Sequence, residues 1–405
     1  MNKILFVTSS FPQGKGESFI EPEIEYLSAH YLLDVLATYP RGSVKVNKPI
    51  ISGSYIESPL FNYKYFISFI SYFLLKPRVF FSLVRSCLVS SWVHSFRNLV
   101  LIPKAIFIAQ TIMLHKEYQF IYCHWLSAPA QLSLLLSQIT TVPYGVTAHR
   151  WDIVNNNNLD KKLYFSCFVR VISNHSKSLF SEYLIERHRM KLNRLYLGVK
   201  IGKTESRVLQ NKICFTGICV ASFLEVKGHK YLFRAMKKVI DQGFNVRIKL
   251  IGDGPLKNNL MQLAFNLGIS NKIEFCGTLE HKEVIELLSS KQGDFSCLPS
   301  VNLGEGHHEG VPVAIMEAMS CGLPCISTKT GAISELIEDG SNGFLVEDKN
   351  PCLLAEAIIR ILTEPNKYKL MSSNAIRTIS ESFNSEKNNL ELLSWINSSI
   401  EHCKE

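Results

Sequence analysis

Two carboxylates carry the most specific chemical signal in this sequence. Glu309 lies in the glycine-rich run from Gly304 to Gly310, and Glu317 follows with seven residues between them. Pro312 suits the first position of a helix, where its missing N–H would have no partner anyway. A helix is therefore expected to open at Pro312 and to carry Glu317 about one turn inside. Phe295 to Leu298 reads as a short buried strand ahead of the loop. Strand, glycine loop and helix N-terminus in that order bring free N–H groups and the positive end of a helix dipole to one place, which favours a phosphate or diphosphate. Glu317 sits among Ile315, Met316, Ala318 and Met319, and a carboxylate with such neighbours needs hydrogen-bond donors. Ribose and hexose hydroxyls are donors of that kind. The spacing alone fits equally well an ordinary helical glutamate and a loop glutamate that complements the dipole.

Such groups need a scaffold that gathers loops at one edge, and the chain supplies alternating strands and helices, which implies parallel sheets. The strand Ile4 to Thr8 runs into a loop containing Gly14 and Gly16, a helix reaches about Ala29, and Tyr31 to Ala37 is a second strand. Phe120 to Cys123 ends in His124-Trp125, and Tyr144 to Ala148 ends in His149-Arg150-Trp151-Asp152. Ligands bind at the carboxyl ends of strands in a doubly wound sheet, although a lone histidine there is more often structural. Val169 to Ser173, Asn174 to Glu186 and Lys191 to Leu197 read as strand, helix and strand, and the polar stretch Ile201 to Gln210 reads as a hinged linker. The strand Ile213 to Ala221 leads to Ser222 and to Lys227, a point cation beside Gly228. Val246 to Ile251 leads into Gly252-Asp253-Gly254-Pro255, and Lys272 to Cys276 into Gly277-Thr278-Leu279, at the same edge. His307-His308 has no HExxH and no third ligand at a sensible spacing, so the pair is read as loop residues.

A chain of 405 residues is too long for one core. The expected division is residues 1–200, residues 211–380, and a last helix within 381–405 that could cross back to the first domain. With 46% apolar and 20% charged residues the chain is globular. Met1-Asn2-Lys3 followed by Ile4 to Thr8 reads as a strand, not a cleavable signal, and no apolar run reaches the ~18 residues of a spanning helix. Cys214, Cys219, Cys276, Cys297, Cys321 and Cys325 lie in or beside apolar segments without CxxC pairing, as buried thiols of a cytoplasmic protein would.

One segment departs from the α/β rhythm. Phe61 to Lys116 carries Lys64, Lys76, Arg78, Arg85, Arg97, Lys104 and Lys116 and no Asp or Glu, in a chain of net charge +9. Its apolar residues are unusually aromatic. Cations interleaved with aromatics on short helices describe a membrane-surface element. The same pattern fits a helical pair whose apolar face is core and whose cations are solvated. Nucleic acid ranks lower, because no nucleic-acid motif accompanies the charge.

The run Pro299-Ser300, Glu309-Gly310-Val311-Pro312, Glu317-Ala318-Met319, Cys321-Gly322-Leu323-Pro324, Gly331, Glu335-Leu336 and Asn342 to Val346 resembles the C-terminal signature of the retaining glycosyltransferases of family 4. The opening Phe11-Pro12 and Glu17-Ser18-Phe19-Ile20 are similar to the colanic acid and amylovoran type of exopolysaccharide enzymes. The resemblance implies a GT-B fold, two Rossmann-like doubly wound domains facing a cleft, and transfer of a hexose from a nucleotide diphosphate sugar. It implies that Glu309 holds the sugar hydroxyls, Glu317 the ribose diol, and Lys227 with the helix N-terminus at Val313 the departing diphosphate. Gly14, Ser222, Gly252, Gly254, Thr278, Leu279, Gly310 and Val311 would complete the donor site. His149 would touch the sugar or the reacting centre, with His124 and Asp152 on the acceptor side. No cofactor and no metal is implied. Three positions depart from the family pattern: Arg150 for the glycine after the histidine, Lys200 for an aspartate, and Ser222 for an arginine that pairs with the lysine. The basic aromatic segment implies a lipid-linked saccharide acceptor at the inner face of a bacterial membrane, with the protein cytoplasmic and peripherally bound. A sugar-nucleotide epimerase and a non-catalytic partner subunit of the same fold are the alternatives.

Overall fold

The computed structural model of the chain describes residues 1–13, 17–40, 51–202, 204–304 and 307–402. The chain divides into two compact units, Met1–Tyr196 with Glu386–Glu405, and Leu197–Ser385.

The first unit holds β1 (Lys3–Thr8), β2 (Leu32–Ala37), β3 (Tyr55–Ile56), β4 (Phe120–His124), β5 (Tyr144–Ala148), β6 (Val169–Val171) and β7 (Leu192–Arg194). They form one parallel sheet in the order β3-β2-β1-β4-β5-β6-β7. Its central strands are continuous apolar runs because both faces are covered: Ile4, Leu5, Phe6 and Val7 are all fully buried. Ile20, Ile24 and Leu27 cover one face together with Leu392, Ile396 and Ile400 of the last helix, Ser385–His402. That helix is therefore part of the first unit's core, and Tyr31 donates from its hydroxyl to Asn397 at 2.7 Å. Leu132, Leu135 and Leu136 of the helix Ala128–Thr140 cover the opposite face with Leu101, Ile102 and Ile106.

The region Trp92–Met113 corrects one expectation. It is a 22-residue helical stretch with a mean hydropathy of 1.3, long and apolar enough to cross a membrane, and half of it is buried inside the unit. Lys104 interrupts the apolar run in sequence but not in structure. Its Nζ donates to the carbonyls of Ala37, Thr38 and Ser58 at 2.9, 2.8 and 2.7 Å. Lys104 is fully buried, so it contributes to the core and not to the basic surface.

The second unit holds β8 (Phe215–Val220), β9 (Val246–Ile251), β10 (Ile273–Gly277), β11 (Phe295–Leu298), β12 (Cys325–Thr328) and β13 (Gly343–Val346). The sheet is again parallel, in the order β10-β9-β8-β11-β12-β13. In each unit the winding reverses beside the first strand, between β1 and β4 and between β8 and β11, and that is where a doubly wound sheet opens a crevice for a ligand. The stretch Ile201 to Gln210 falls within this unit. Arg207 fastens it, donating to the carbonyls of Cys321, Ser290, Gly293 and Leu288. The chain leaves the first unit after Tyr196 and returns at Glu386. Cys219, Cys297, Cys321 and Cys325 are buried thiols, while Cys214 and Cys276 are half-buried.

Candidate functional site

In the second unit the loops at the carboxyl ends of β8, β9 and β10 are knitted together by their backbones. Phe223 donates its N–H to Asp253 at 3.0 Å, Leu256 to Phe223 at 3.2 Å, and Gly252 to Gly277 at 2.8 Å. Gly252 has φ +140, and a Cβ there would lie 2.1 Å from the Ala221 carbonyl oxygen, so only glycine fits. Gly254 donates its N–H to the side chain of Asp253 at 2.8 Å. The loop after β8 is also tied to the loop after β11. Val301 donates to Val226 at 2.8 Å, and Gly228, at φ +69, approaches so closely that a Cβ would fall 1.8 Å from the Pro299 carbonyl oxygen.

That close approach sets Lys227 against Glu309. The Lys227 Nζ lies 2.5 Å from Glu309 Oε2, with 19% and 16% of the two side chains exposed, and Ser300 Oγ is 3.5 Å from the same oxygen. His308 is buried and donates from Nδ1 to the Glu309 carbonyl at 2.9 Å, which anchors the loop from behind. The helix Val313–Ser320 opens one residue later than the sequence suggested, because Pro312 has an extended ψ of 117 and acts as the cap. Glu317 on this helix is 12% exposed, and its Oε1 lies 2.8 Å from Nε2 of His281, the exposed first residue of the helix Glu280 caps, His281–Ser289. A cation from the loop after β8 is thus set against a carboxylate from the loop after β11, with a second carboxylate on the helix that follows. Gly310, Val311, Val313 and Leu279 are half-buried there, and Ser222 and Thr278 are exposed. Gly14 lies outside the described residues.

The first unit holds a buried ionic cluster at its own switch point. His124, the last residue of β4, places Nδ1 2.9 Å from Glu23 Oε1 and Nε2 3.0 Å from Nε2 of His149. Arg170, in the middle of β6, pairs with the other oxygen of Glu23 and donates to the carbonyls of Leu195 and Tyr196. Burial raises the Glu23 carboxyl, but the Arg170 guanidinium and His124 outweigh it and hold the group at about 2. Burial, followed by the neighbouring His124 and Arg170, pushes His149 well below the usual imidazole value, so its ring is neutral at physiological pH. An ionised Glu23 fixes a proton on Nδ1 of His124. The Nε2–Nε2 contact then carries one proton between the two rings.

His124 and Asp152 were expected at an acceptor, and the structure gives both a different task. His124 is fully buried with both nitrogens engaged. Asp152 is buried, and its Oδ2 accepts the backbone N–H groups of Leu126 and His149, each at 3.0 Å, which ties the ends of β4 and β5 together. Both residues position His149. Four further members were not singled out from the sequence. Trp125 stacks on His149 at 4.1 Å between centroids and has φ +130. Its indole N–H is buried without a partner among the described residues. Phe19 meets the rings of His124 and His149 at 5.8 Å each. Glu23 was legible as a carboxylate on the apolar stripe Ile20, Ile24 and Leu27, and Arg170 as a cation between two buried valines.

The pattern of the group 1 glycosyl transferases matches residues 209–378, most of the second unit. N-acetyl-alpha-D-glucosaminyl L-malate synthase of Bacillus anthracis is 29% identical over 205 residues, 51% of this chain and 49% of that protein. The putative colanic acid biosynthesis glycosyltransferase WcaL of Escherichia coli is 31% identical over 180 residues, 44% of each chain. The chain thus spans about half the length of these curated relatives. Among solved structures, Anabaena HepE in complex with UDP superposes with a TM-score of 0.70 over 98% of this chain and 100% of that one, at 18% identity. The likeness shows a shared GT-B fold.

Proposed function

We propose, from the match of residues 209–378 to the group 1 glycosyl transferases and from the GT-B fold, that this chain is such an enzyme and moves a hexose from a nucleotide diphosphate sugar to a lipid-linked saccharide, with retention at the anomeric carbon. The observation that supports this best is the ion pair of Lys227 with Glu309, which joins the loops after β8 and β11, with Glu317 on the helix that follows the second loop. In the transfer, the bond from the anomeric carbon to the diphosphate breaks and a bond to the acceptor hydroxyl forms on the same face. The acceptor proton passes to the departing diphosphate. Lys227 and the N–H groups at Val313 balance the charge that grows on the leaving oxygen, and fixed dipoles of that kind act without reorganisation. We assign this charge to the protein, with no metal. Glu309 takes the sugar hydroxyls and Glu317 the ribose diol, with His281 orienting the second carboxylate. The loops around Gly252, Gly254, Thr278 and Leu279 meet the base through their backbones, and Gly310, Val311 and the Ser222 hydroxyl complete the donor contacts. His149, held neutral, offers the substrate a hydrogen bond and not a charge.

The resemblance to colanic acid enzymes supports exopolysaccharide, capsule or O-antigen assembly at the cytoplasmic face of the inner membrane. Ser222 presents only a hydroxyl where an arginine is usual, which is the one feature favouring a non-catalytic partner subunit. A thermal-shift and turnover screen against UDP-, GDP- and ADP-sugars, with Glu317→Ala alongside, decides between them. Stabilisation by one donor that vanishes in the variant, with slow release of nucleoside diphosphate, supports the transferase. No response to any donor would leave the partner subunit.

A further inference from the structure

The helix Tyr63–Leu75 is apolar on the side that faces away from the protein. Tyr63, Phe66, Ile67, Ile70, Phe73 and Leu74 recur at helical spacing and are 73, 65, 60, 42, 40 and 69% exposed. The inner side fixes the helix independently of this stripe. Tyr65 and Tyr72 are buried, and the Tyr65 hydroxyl bonds to the Pro59 carbonyl at 3.0 Å and to the Ser58 hydroxyl at 2.7 Å. After Lys76 the chain bends by 118° into the helix Pro77–Cys87. Phe81 is 60% exposed on that helix, and Trp92 and Phe96, one turn apart on the helix Trp92–Leu99, are 80% and 64% exposed. A soluble surface ordinarily scatters its large apolar residues singly. Here they form consecutive turns.

The charge around this face says what covers it. Lys64 stands at one end of the stripe, Lys76 and Arg78 at the other, and Arg85 and Arg97 lie on the two following helices, all exposed. From Phe61 to Lys116 there is no Asp or Glu. A hydrophobic stripe flanked by cations, with aromatic residues at its margins and no acid to repel phosphate, is complementary to an anionic bilayer surface. The stripe helix has 13 residues, about 20 Å at ~1.5 Å per residue, against ~30 Å of hydrocarbon. It can lie in the interface but cannot cross it.

We infer that the helices Tyr63–Leu75, Pro77–Cys87 and Trp92–Leu99 form an in-plane anchor that seats the first unit on an anionic membrane. The apolar stripe enters the acyl boundary and the cations stay among the headgroups. This deepens the proposed reading, which places the acceptor on a lipid.

The test is flotation of the full chain with phosphatidylcholine vesicles and with vesicles that also contain phosphatidylglycerol. The wild type floats only with the anionic vesicles, and the tryptophan emission shifts to the blue, a shift that Trp92→Phe removes. The variant Phe66→Ser/Ile70→Ser/Leu74→Ser loses about a hundredfold in partitioning, and Arg78→Gln/Arg85→Gln/Arg97→Gln loses roughly as much. Donor-induced thermal stabilisation is unchanged in both variants, which separates a failure of the anchor from a failure of the donor site. Wild type that remains unbound, with no change in tryptophan emission, overturns the inference. So does a serine variant that floats like the wild type. A wild-type dimer that the serine substitutions disperse, without vesicle binding, would make this face a contact between two copies of the chain and would overturn the inference as well.

Discussion

Replacing Glu23 with glutamine tests the buried cluster of the first unit most directly. The carboxyl is held at about 2 against 4.5 for an ordinary glutamate, a difference of about 3 kcal/mol at 1.36 kcal/mol per pH unit. Glutamine keeps the shape but removes the counter-charge, leaving the Arg170 guanidinium buried and unpaired, which typically costs 3–5 kcal/mol, about the same size. All four tryptophans, Trp92, Trp125, Trp151 and Trp395, lie in the first unit, so urea unfolding followed by tryptophan fluorescence reports that unit alone. We expect Glu23→Gln to lower its stability by about 3 kcal/mol, and Glu23→Gln/Arg170→Met to be at least ~1 kcal/mol more stable than the sum of the single losses predicts. The pH dependence follows from the sign of each shift. The folded pKa of Glu23 is depressed, so its contribution is complete above about 4.5 and is lost as pH falls toward about 2. His149 is held below its usual value in the folded chain, so the unfolded chain takes up its proton first and stability also falls as pH drops below about 6.5. The glutamine variant should keep the His149 decline and show a shallower later one, since Asp34, also held at about 2, still contributes there. Strict additivity of the two substitutions, or an unchanged acid limb in Glu23→Gln, would refute the reasoning.

Three further outcomes follow from single contacts. Lys104→Met leaves three buried carbonyls without a donor and should cost about 3–5 kcal/mol in the same unfolding assay; a loss under ~1 kcal/mol would show that the three bonds contribute little. His229 is buried with both ring nitrogens lacking a partner among the described residues, and burial with Lys227 nearby pushes it down to about 4. His229→Leu should therefore stabilise the second unit by about 1 kcal/mol at pH 7, and by more on the acid side of 6.5, as calorimetry would show. Gly228→Ala meets the Pro299 carbonyl and a positive φ together, so it should shift the loop carrying Lys227 and reduce donor-induced stabilisation at least tenfold in apparent affinity; retention of full affinity would show that the close approach does not set the lysine.

Both sheets were legible in the sequence because buried parallel strands are short apolar runs that end in loops, as Val246–Ile251 and Phe295–Leu298 do. The less apolar strands were harder. Tyr55–Ile56 has two residues, and Gly343–Val346 starts on a glycine that sits against the Cys325 carbonyl. The expected helix from Asn174 to Glu186 is two helices, Asn174–Ser178 and Glu182–Arg187, since the Ser181 side chain accepts the Leu184 N–H and starts a new one. Glu309 and Glu317 were legible because only seven residues separate them, around a helix start that Pro312 marks. Glu23, His124, His149 and Arg170 are scattered over nearly 150 residues, and only the winding of the sheet brings β1's following helix, β4, β5 and β6 to one point.

The two clusters differ in how they handle charge, and on the proposed reading that difference separates structural from ligand-binding groups. Glu23 and Arg170 are almost fully buried and saturated by each other and by backbone carbonyls, so any exchange of partners would expose an unpaired charge. That cluster can hold His149 in one orientation, but it is a poor place to admit and release an anion. Lys227, Glu309 and Glu317 keep 12–19% of their side chains open to solvent, and each carboxylate has one partner that can move, a lysine stem or an exposed histidine. On the proposed reading, diphosphate oxygens would take Lys227 from Glu309 while sugar hydroxyls replaced the lysine on the carboxylate, which would conserve the number of satisfied groups. The pairing of Lys227 with Glu309 satisfies both side chains and, on the proposed reading, would hold them in place until a donor supplied each with a new partner.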